Sequence, residues 1–313
     1  MAIEHGYRQE LTRDWIEGVL GRAGLDDRLA EAGELGGGTF NTVFRLRLED
    51  GARLILKVAP PAGAPVMRYE RGLLAAEALY YERAAGRAPV PEVVHAEPGL
   101  LMMTELPGTT VAEDMRHYSA EARARLRHAL GGYLANLHTI TGDAGFGYPA
   151  DPLRPTWPEA FHGMVDALLA DAADHRVELP KPAAQLRSLI DKAGLGDVTT
   201  PVLVHFDLWD GNILMSRGRV TGLIDAERAF WGDPIADFPS LSLFGEIDDD
   251  FLAGYRAAGG TFGEAEARRL KAYQAYLYLI MWIEGGPRRF TPDHLERRKR
   301  ELRPIFDGFD VYC

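Results

Sequence analysis

The order of periodicities along the chain predicts an α+β protein of two lobes, a small and mostly β lobe first and a larger, mostly helical lobe after it. Three observations carry that prediction. Between Ala30 and Ala59 apolar residues alternate with polar ones, from Ser119 onward they return at helical spacing, and Pro107-Gly108 punctuates the chain between the two regimes. The predicted lobes are therefore residues 1–106 and 107–313. With 313 residues, 46% of them apolar, the chain is long enough to bury a sizeable core.

Each element can be justified in turn. An amphipathic helix is expected around Leu11 to Arg22. Val43, Leu46 and Leu48 interleave with Arg45, Arg47 and Glu49, then Asp50-Gly51 and the run Leu54 to Val58 complete a hairpin preceded by a glycine-rich bend. After the breakers Pro60, Pro61, Gly63 and Pro65, helical spacing through Leu73, Leu74, Glu77, Tyr80 and Tyr81 predicts one helix from Val66 to Ala85. Strands follow at Glu92 to Ala96 and Leu100 to Leu106. In the second lobe, Ser119-Ala-Glu-Ala opens a helix with Leu126, Leu130, Leu134, Leu137 and His138 on one stripe. Gly142 to Pro158 reads as a loop, Glu159 to Ala173 and Pro182 to Ala193 as helices. Short apolar runs at Val202 to Val204, Ile213 to Met215 and Val220 to Ile224 bracket a polar loop, and helices return from Ile235.

Composition excludes some classes of function. Thirty-five basic residues against 46 acidic ones leave a net charge of −11, which opposes association with a phosphate backbone or an anionic membrane. Neither nucleic acid nor membrane is expected as a partner, whereas Mg²⁺ or a cationic small molecule would be attracted. The one cysteine, Cys313, allows no intrachain disulfide, no apolar run reaches the roughly 20 residues that span a bilayer, and the expected location is the cytoplasm. Nothing in the sequence speaks to oligomeric state.

The chemistry concentrates in Val204-His205-Phe206-Asp207-Leu208-Trp209-Asp210-Gly211-Asn212-Ile213-Leu214 and in Gly222-Leu223-Ile224-Asp225. Phosphoryl transfer needs a carboxylate to orient and deprotonate the attacking hydroxyl, and oxygen ligands for a Mg²⁺ that bridges the triphosphate. His-x-Asp with Asn five residues beyond the Asp, and a further Asp at a strand end, offers both. These residues resemble the aminoglycoside phosphotransferase and choline kinase superfamily, which shares the protein-kinase fold. The later Ile224-Asp225, Gly232-Asp233-Pro234 and Asp237 match that superfamily too, while Phe206 stands where glycine is usual. The resemblance implies ATP and Mg²⁺ as cofactors, Asp207 as base, Asn212 and Asp225 as metal ligands, His205 as loop support and Asp237 as an anchor. Asp225-Ala226-Glu227 replaces the Asp-Phe-Gly of protein kinases, and Glu227, which could add a metal contact, is expected first as a surface carboxylate.

Further pieces follow the same order. Gly36-Gly37-Gly38-Thr39-Phe40-Asn41 lies between the first two strands, where a glycine-rich backbone can approach phosphates. Lys57 shares a strand face with Ile55; taken alone it reads as outward-facing, while the resemblance makes it the lysine that holds the α- and β-phosphates. Its carboxylate partner is expected to be Glu77, with Glu70 as competitor. Thr104-Glu105-Leu106 resembles the hinge that receives adenine. Trp209 could stack on a substrate or pack its loop, Glu246 to Asp250 read as a solvated helix start, and Tyr273, Tyr276, Tyr278 and Trp282 as core. An aminoglycoside-like hydroxyl acceptor ranks first, a fructosamine, sugar or choline second, with a protein-substrate kinase or an inactive nucleotide-binding module as rivals.

Overall fold

The computed structural model describes residues 7–25, 29–36 and 40–308. A helix α1 (Arg13–Arg22), capped by the Thr12 hydroxyl, precedes strands β1 (Leu29–Glu34), β2 (Thr42–Leu48) and β3 (Arg53–Val58). Helix α2 (Leu73–Ala84) and strands β4 (Val93–Glu97) and β5 (Leu100–Thr104) complete the small lobe. Its five strands form one antiparallel sheet in the order β1-β2-β3-β5-β4, with Lys57 opposite Val43 on one side and Leu101 on the other.

The two faces of this sheet are covered by different helices. Ile16, Val19 and Leu20 of α1 pack against Leu54, Leu56 and Val58 in one apolar cluster. The alternate residues Ile55 and Lys57 point to the other side, where α2 lies. This corrects the reading of Lys57 as outward-facing, because that face is not solvent and Lys57 is only 6% exposed.

Of the boundaries that differ from those expected, two shape the small lobe. The span from Val66 to Ala85 is not one helix: a single turn at Arg68–Glu70 is separated from α2 by Gly72, which takes a left-handed conformation (φ 73°). A Cβ there would also fall 2.9 Å from that of Ala150, so glycine serves both backbone and packing. The final small-lobe strand ends at Thr104 rather than Leu106.

In the large lobe the two-residue strand β6 (Thr109–Thr110) and the turn α3 (Val111–Asp114) lead to α4 (Ala120–Leu137), whose amino end is capped by the Ser119 hydroxyl. Leu126, Leu130, Leu134 and Leu137 are all buried, as their spacing requires. Helices α5 (Trp157–Asp174) and α6 (Ala183–Asp191) follow. Strand β7 (Val202–Val204) pairs with β10 (Phe230–Gly232), while β8 (Ile213–Ser216) and β9 (Arg219–Leu223) form a hairpin extended by β6. The rest is helical: α7 (Phe238–Leu241), α8 (Asp249–Ala257), α9 (Glu264–Ile283) and α10 (Pro292–Gly308). Tyr273, Tyr276, Tyr278 and Trp282 of α9 are buried. Among the described residues no helix is long and apolar enough to cross a membrane.

Candidate active site

The site is assembled where α2 and β3 of the small lobe meet the loops after β7 and β9. Lys57 Nζ donates to both carboxylate oxygens of Glu77, at 2.7 and 2.8 Å, and to Asp225 Oδ1 at 2.6 Å. Tyr81, one turn beyond Glu77 on α2, donates to Glu77 Oε1 at 2.7 Å, and its oxygen accepts the Asp225 amide at 2.8 Å. That amide bond holds Asp225 in the left-handed region (φ 66°) directly after β9. Glu70 is not the lysine's partner. It accepts from Arg288 at 2.5 Å and from the Met67 amide at 2.8 Å.

Charge governs the protonation of this group. Burial opposes a charged Lys57, but Asp225 and Glu77 outweigh it and raise its pKa, so the ammonium persists. Burial likewise opposes ionisation of Asp225, yet Lys57 holds its carboxyl below the usual range. Burial pushes the Glu77 carboxyl up, with Lys57 pulling against it. Glu227, expected at the surface, is instead half-buried within this cluster. It accepts from Asn41 Nδ2 at 2.5 Å, and burial, reinforced by Asp225, pushes its pKa up to about 8. Glu77, Asp225 and Glu227 each offer an oxygen within 4.8 Å of the others. Such hard carboxylate oxygens suit Mg²⁺.

The loop between β7 and β8 presents the other carboxylate. His205 is fully buried, and burial lowers its pKa to about 4, so it is neutral; its Nδ1 accepts the Asp207 amide at 3.3 Å and its Nε2–H donates to the Ile224 carbonyl at 3.1 Å. One imidazole thus fastens the Asp207 loop to the strand end that carries Asp225. Asn212 Nδ2 donates to the Asp207 carbonyl at 2.8 Å, which commits its nitrogen and keeps its amide oxygen as an acceptor. Asp237, buried, accepts the Phe206 amide at 2.6 Å through one oxygen and His138 Nε2 at 2.9 Å through the other. It pins the loop at Phe206, which has φ 64° and so occupies a conformation that explains why glycine is usual there. Burial raises the Asp207 pKa to about 6, with Asp225 adding to the rise and Arg228 opposing it from 3.9 Å.

Three side chains of a path that begins at Asp207 went unnoticed in the sequence: Arg228, 3.9 Å from Asp207, then Glu284 and Arg288. Arg228 lies 3.6 Å from Glu284, and Glu284 lies 3.0 Å from Arg288, which continues to Glu70. Arg228 follows Asp225 by three residues, a spacing that could have drawn attention to it. Glu284 and Arg288 close the end of an apolar helix and carry no such signal.

The remaining predicted residues are placed as follows. The Thr104 and Glu105 amides bond the Glu92 and Arg53 carbonyls, and the Glu105 carboxylate is tied to Arg45 and Arg53, both at 2.6 Å. Leu106 packs on β9, where a Cβ on Gly222 would come within 2.8 Å of its Cδ1. Gly36 follows β1, while Gly37, Gly38 and Thr39 lie outside the described residues.

Comparison with known proteins places this arrangement. Residues 31–272 match the model of the phosphotransferase enzyme family. The chain belongs to that family. Among the family's relatives of this chain, a probable ketoamine kinase of Synechocystis is 32% identical over 143 residues, covering 42% of this chain and 47% of its own length. A methylthioribose kinase of Exiguobacterium sibiricum is 28% identical over 260 residues, covering 72% of this chain and 64% of its own. This chain thus spans less than two thirds of either relative. The fold matches the gentamicin complex of APH(2")-IIa with a TM-score of 0.68 at 18% identity, over 96% of this chain and 99% of the other. A two-lobed kinase-like fold is the common frame.

Proposed function

We propose that this family member is a Mg²⁺-dependent kinase that transfers the γ-phosphoryl group of ATP to a hydroxyl of a small sugar-like molecule. The observation that carries the proposal is the convergence of Lys57, Glu77 and Asp225 within 2.6 to 2.8 Å, beside an Asp207 carboxyl held on the loop that His205 ties to the same strand end. Lys57, oriented by Glu77, would neutralise phosphate oxygens. Asp225 and the Asn212 amide oxygen would hold Mg²⁺, with Glu227 as a further carboxylate in reach, and the metal would supply charge neutralisation at the transferred group. Asp207 would orient the acceptor hydroxyl and take its proton; a carboxyl with pKa about 6 is a stronger base than an ordinary aspartate and still ionised at neutral pH. The glycine-rich segment from Gly36 would cover the phosphates, and the Thr104–Leu106 backbone would meet the base.

The acceptor is an amino sugar or a ketoamine, with the ketoamine ahead. Two features support that order: a relative bears that name, and the Arg228 guanidinium beside Asp207 disfavours a strongly cationic acceptor at the transfer point. The test is ADP release with Mg·ATP across ketoamines, methylthioribose, amino sugars and aminoglycosides. Release stimulated by none of them, or unaffected by EDTA, would defeat the proposal.

A further inference from the structure

Among the described residues three large apolar side chains are exposed: Trp15, Trp209 and Phe244. Trp15 lies on α1, far from the catalytic loop in the fold's order of elements. Trp209 lies on that loop, and Phe244 on a segment tethered to it. Trp209 sits two residues from Asp207, and a Cβ on Gly211 would meet its ring at 2.2 Å, so the indole lies flat on the glycine and turns 43% of its surface outward.

Phe244 lies in the segment between α7 and α8, and both ends of that segment are fixed to the catalytic loop. At one end Ser240 Oγ accepts the Leu208 amide at 2.9 Å. At the other, Arg127 bridges Asp210 at 2.7 Å and Asp248 at 3.7 Å. Between them the Gly245 amide donates to the Ser242 carbonyl at 2.8 Å, closing a tight turn with Phe244 at its third position and φ 60°. That position favours glycine or asparagine. A phenylalanine there is both strained and 50% exposed, which neither local conformation nor burial explains.

What holds it is Tyr278. The Tyr278 ring stacks on Phe244 at 5.7 Å between centroids and 21° between planes, while the Tyr278 oxygen accepts the Phe244 amide at 3.1 Å. Ring and backbone are fixed by the same buried side chain, and half of the ring is left exposed on a segment whose two ends are tied to the Asp207 loop.

We infer that Phe244, backed by Tyr278 on the segment tied to Leu208 and Asp210, is a specificity-determining shelf for an apolar or aromatic substituent on the acceptor, beyond the hydroxyl that reacts. This rests on the kinase reading above and adds the substrate class: a sugar-derived acceptor carrying an apolar group rather than a bare sugar. Two probes differ in that group alone, the ketoamines that glucose forms with glycine and with phenylalanine.

The experiment measures the affinity of both for the ADP-loaded full chain. An aromatic contact of this kind corresponds to about tenfold tighter binding of the phenylalanine compound. In Phe244→Gly, a substitution that relieves the backbone and so preserves the fold, the ratio should fall to near one; in Phe244→Trp it should be kept. Equal binding of the two compounds by the parent chain, or a ratio undiminished in Phe244→Gly, overturns the shelf. ADP release across the full acceptor panel named above is read separately, so release by none of those compounds would defeat the kinase reading while the affinity ratio still decides this one.

Discussion

Replacing Asp207 by asparagine should make the protein inactive and, above neutral pH, more stable. In the folded chain the Asp207 carboxyl has a pKa of about 6 against an ordinary 3.8. Well below pH 3.8 the carboxyl is protonated in both states and folding is indifferent to it. Between the two values the folded chain retains a proton that the unfolded chain has lost. Above about 6 the folded chain must hold a desolvated carboxylate, and the penalty is complete. A difference of that size corresponds to about 3 kcal/mol. Asparagine approximates the protonated acid, so Asp207→Asn should exceed the parent by about 3 kcal/mol at pH 8 and by only about 0.5 kcal/mol at pH 4. Urea unfolding in EDTA at pH 4, 6 and 8 measures this directly. The same variant should lose roughly two to four orders of magnitude in turnover while still binding ATP. In the parent, kcat/KM should fall as pH drops through about 6. A variant no more stable than the parent at pH 8, or a stability gap independent of pH, would refute the electrostatic account. Retained turnover would move the base elsewhere.

Other consequences are equally open to measurement. Glu77→Gln should weaken nucleotide binding more than Glu70→Gln does, whereas Glu70→Gln, which breaks the pair with buried Arg288, should cost more in urea-unfolding stability; a larger loss of ATP affinity at Glu70 would reverse the assignment. Phe206→Gly should relieve about 1–2 kcal/mol of backbone strain but forfeit about 3–5 kcal/mol from a fully buried ring packed on Phe230 and Tyr276. The variant should therefore be destabilised yet near normal in turnover once folded. Gly254→Ala should lower stability by about 1–3 kcal/mol, because a Cβ there would stand 1.9 Å from the His128 carbonyl oxygen where α8 crosses α4. Unchanged unfolding of that variant would show that the two helices can separate freely.

Chemistry restricts residue type, and that is why the site was more legible than its surroundings. Lys57 and Glu77 are twenty residues apart on adjacent elements, so strand and helix periodicity could suggest that they meet. Asp207, Asn212 and Asp225 lie on one loop–hairpin–loop unit whose turns are short. Glu227 was misjudged because nothing local distinguishes a carboxylate facing solvent from one facing Asn41, 186 residues earlier. The break at Gly72 was hidden because the apolar spacing continues through it. Glu70 was ambiguous for the same reason: its actual partner, Arg288, is 218 positions away, and no periodicity reports contacts at that range.

The three unnoticed charged residues, Arg228, Glu284 and Arg288, link Asp207 to Glu70 in one path. Asp207, Arg228, Glu284, Arg288 and Glu70 alternate in sign and run from the catalytic loop to the turn that precedes α2. Desolvating that many charges is costly, and an apolar replacement of equal volume could be as stable, so cohesion alone does not account for them. What an apolar cluster lacks is direction. The Arg288–Glu70 pair fixes the Arg68–Glu70 turn against the large lobe, and the Arg228 guanidinium packs over the Tyr69 ring of the same turn, 5.9 Å from its centroid. Two residues past that turn Gly72 starts α2, which carries Glu77 and Tyr81. The charged path and the helix therefore close a circuit: from Asp207 through the ion pairs to the turn, along α2 to Glu77, across to Lys57 and Asp225, and through Ile224 and His205 back to Asp207. A displacement of α2 that separated Glu77 from Lys57 would have to stretch the pairs beside Asp207 as well, so the phosphate-holding and hydroxyl-orienting halves of the site are positioned as one unit.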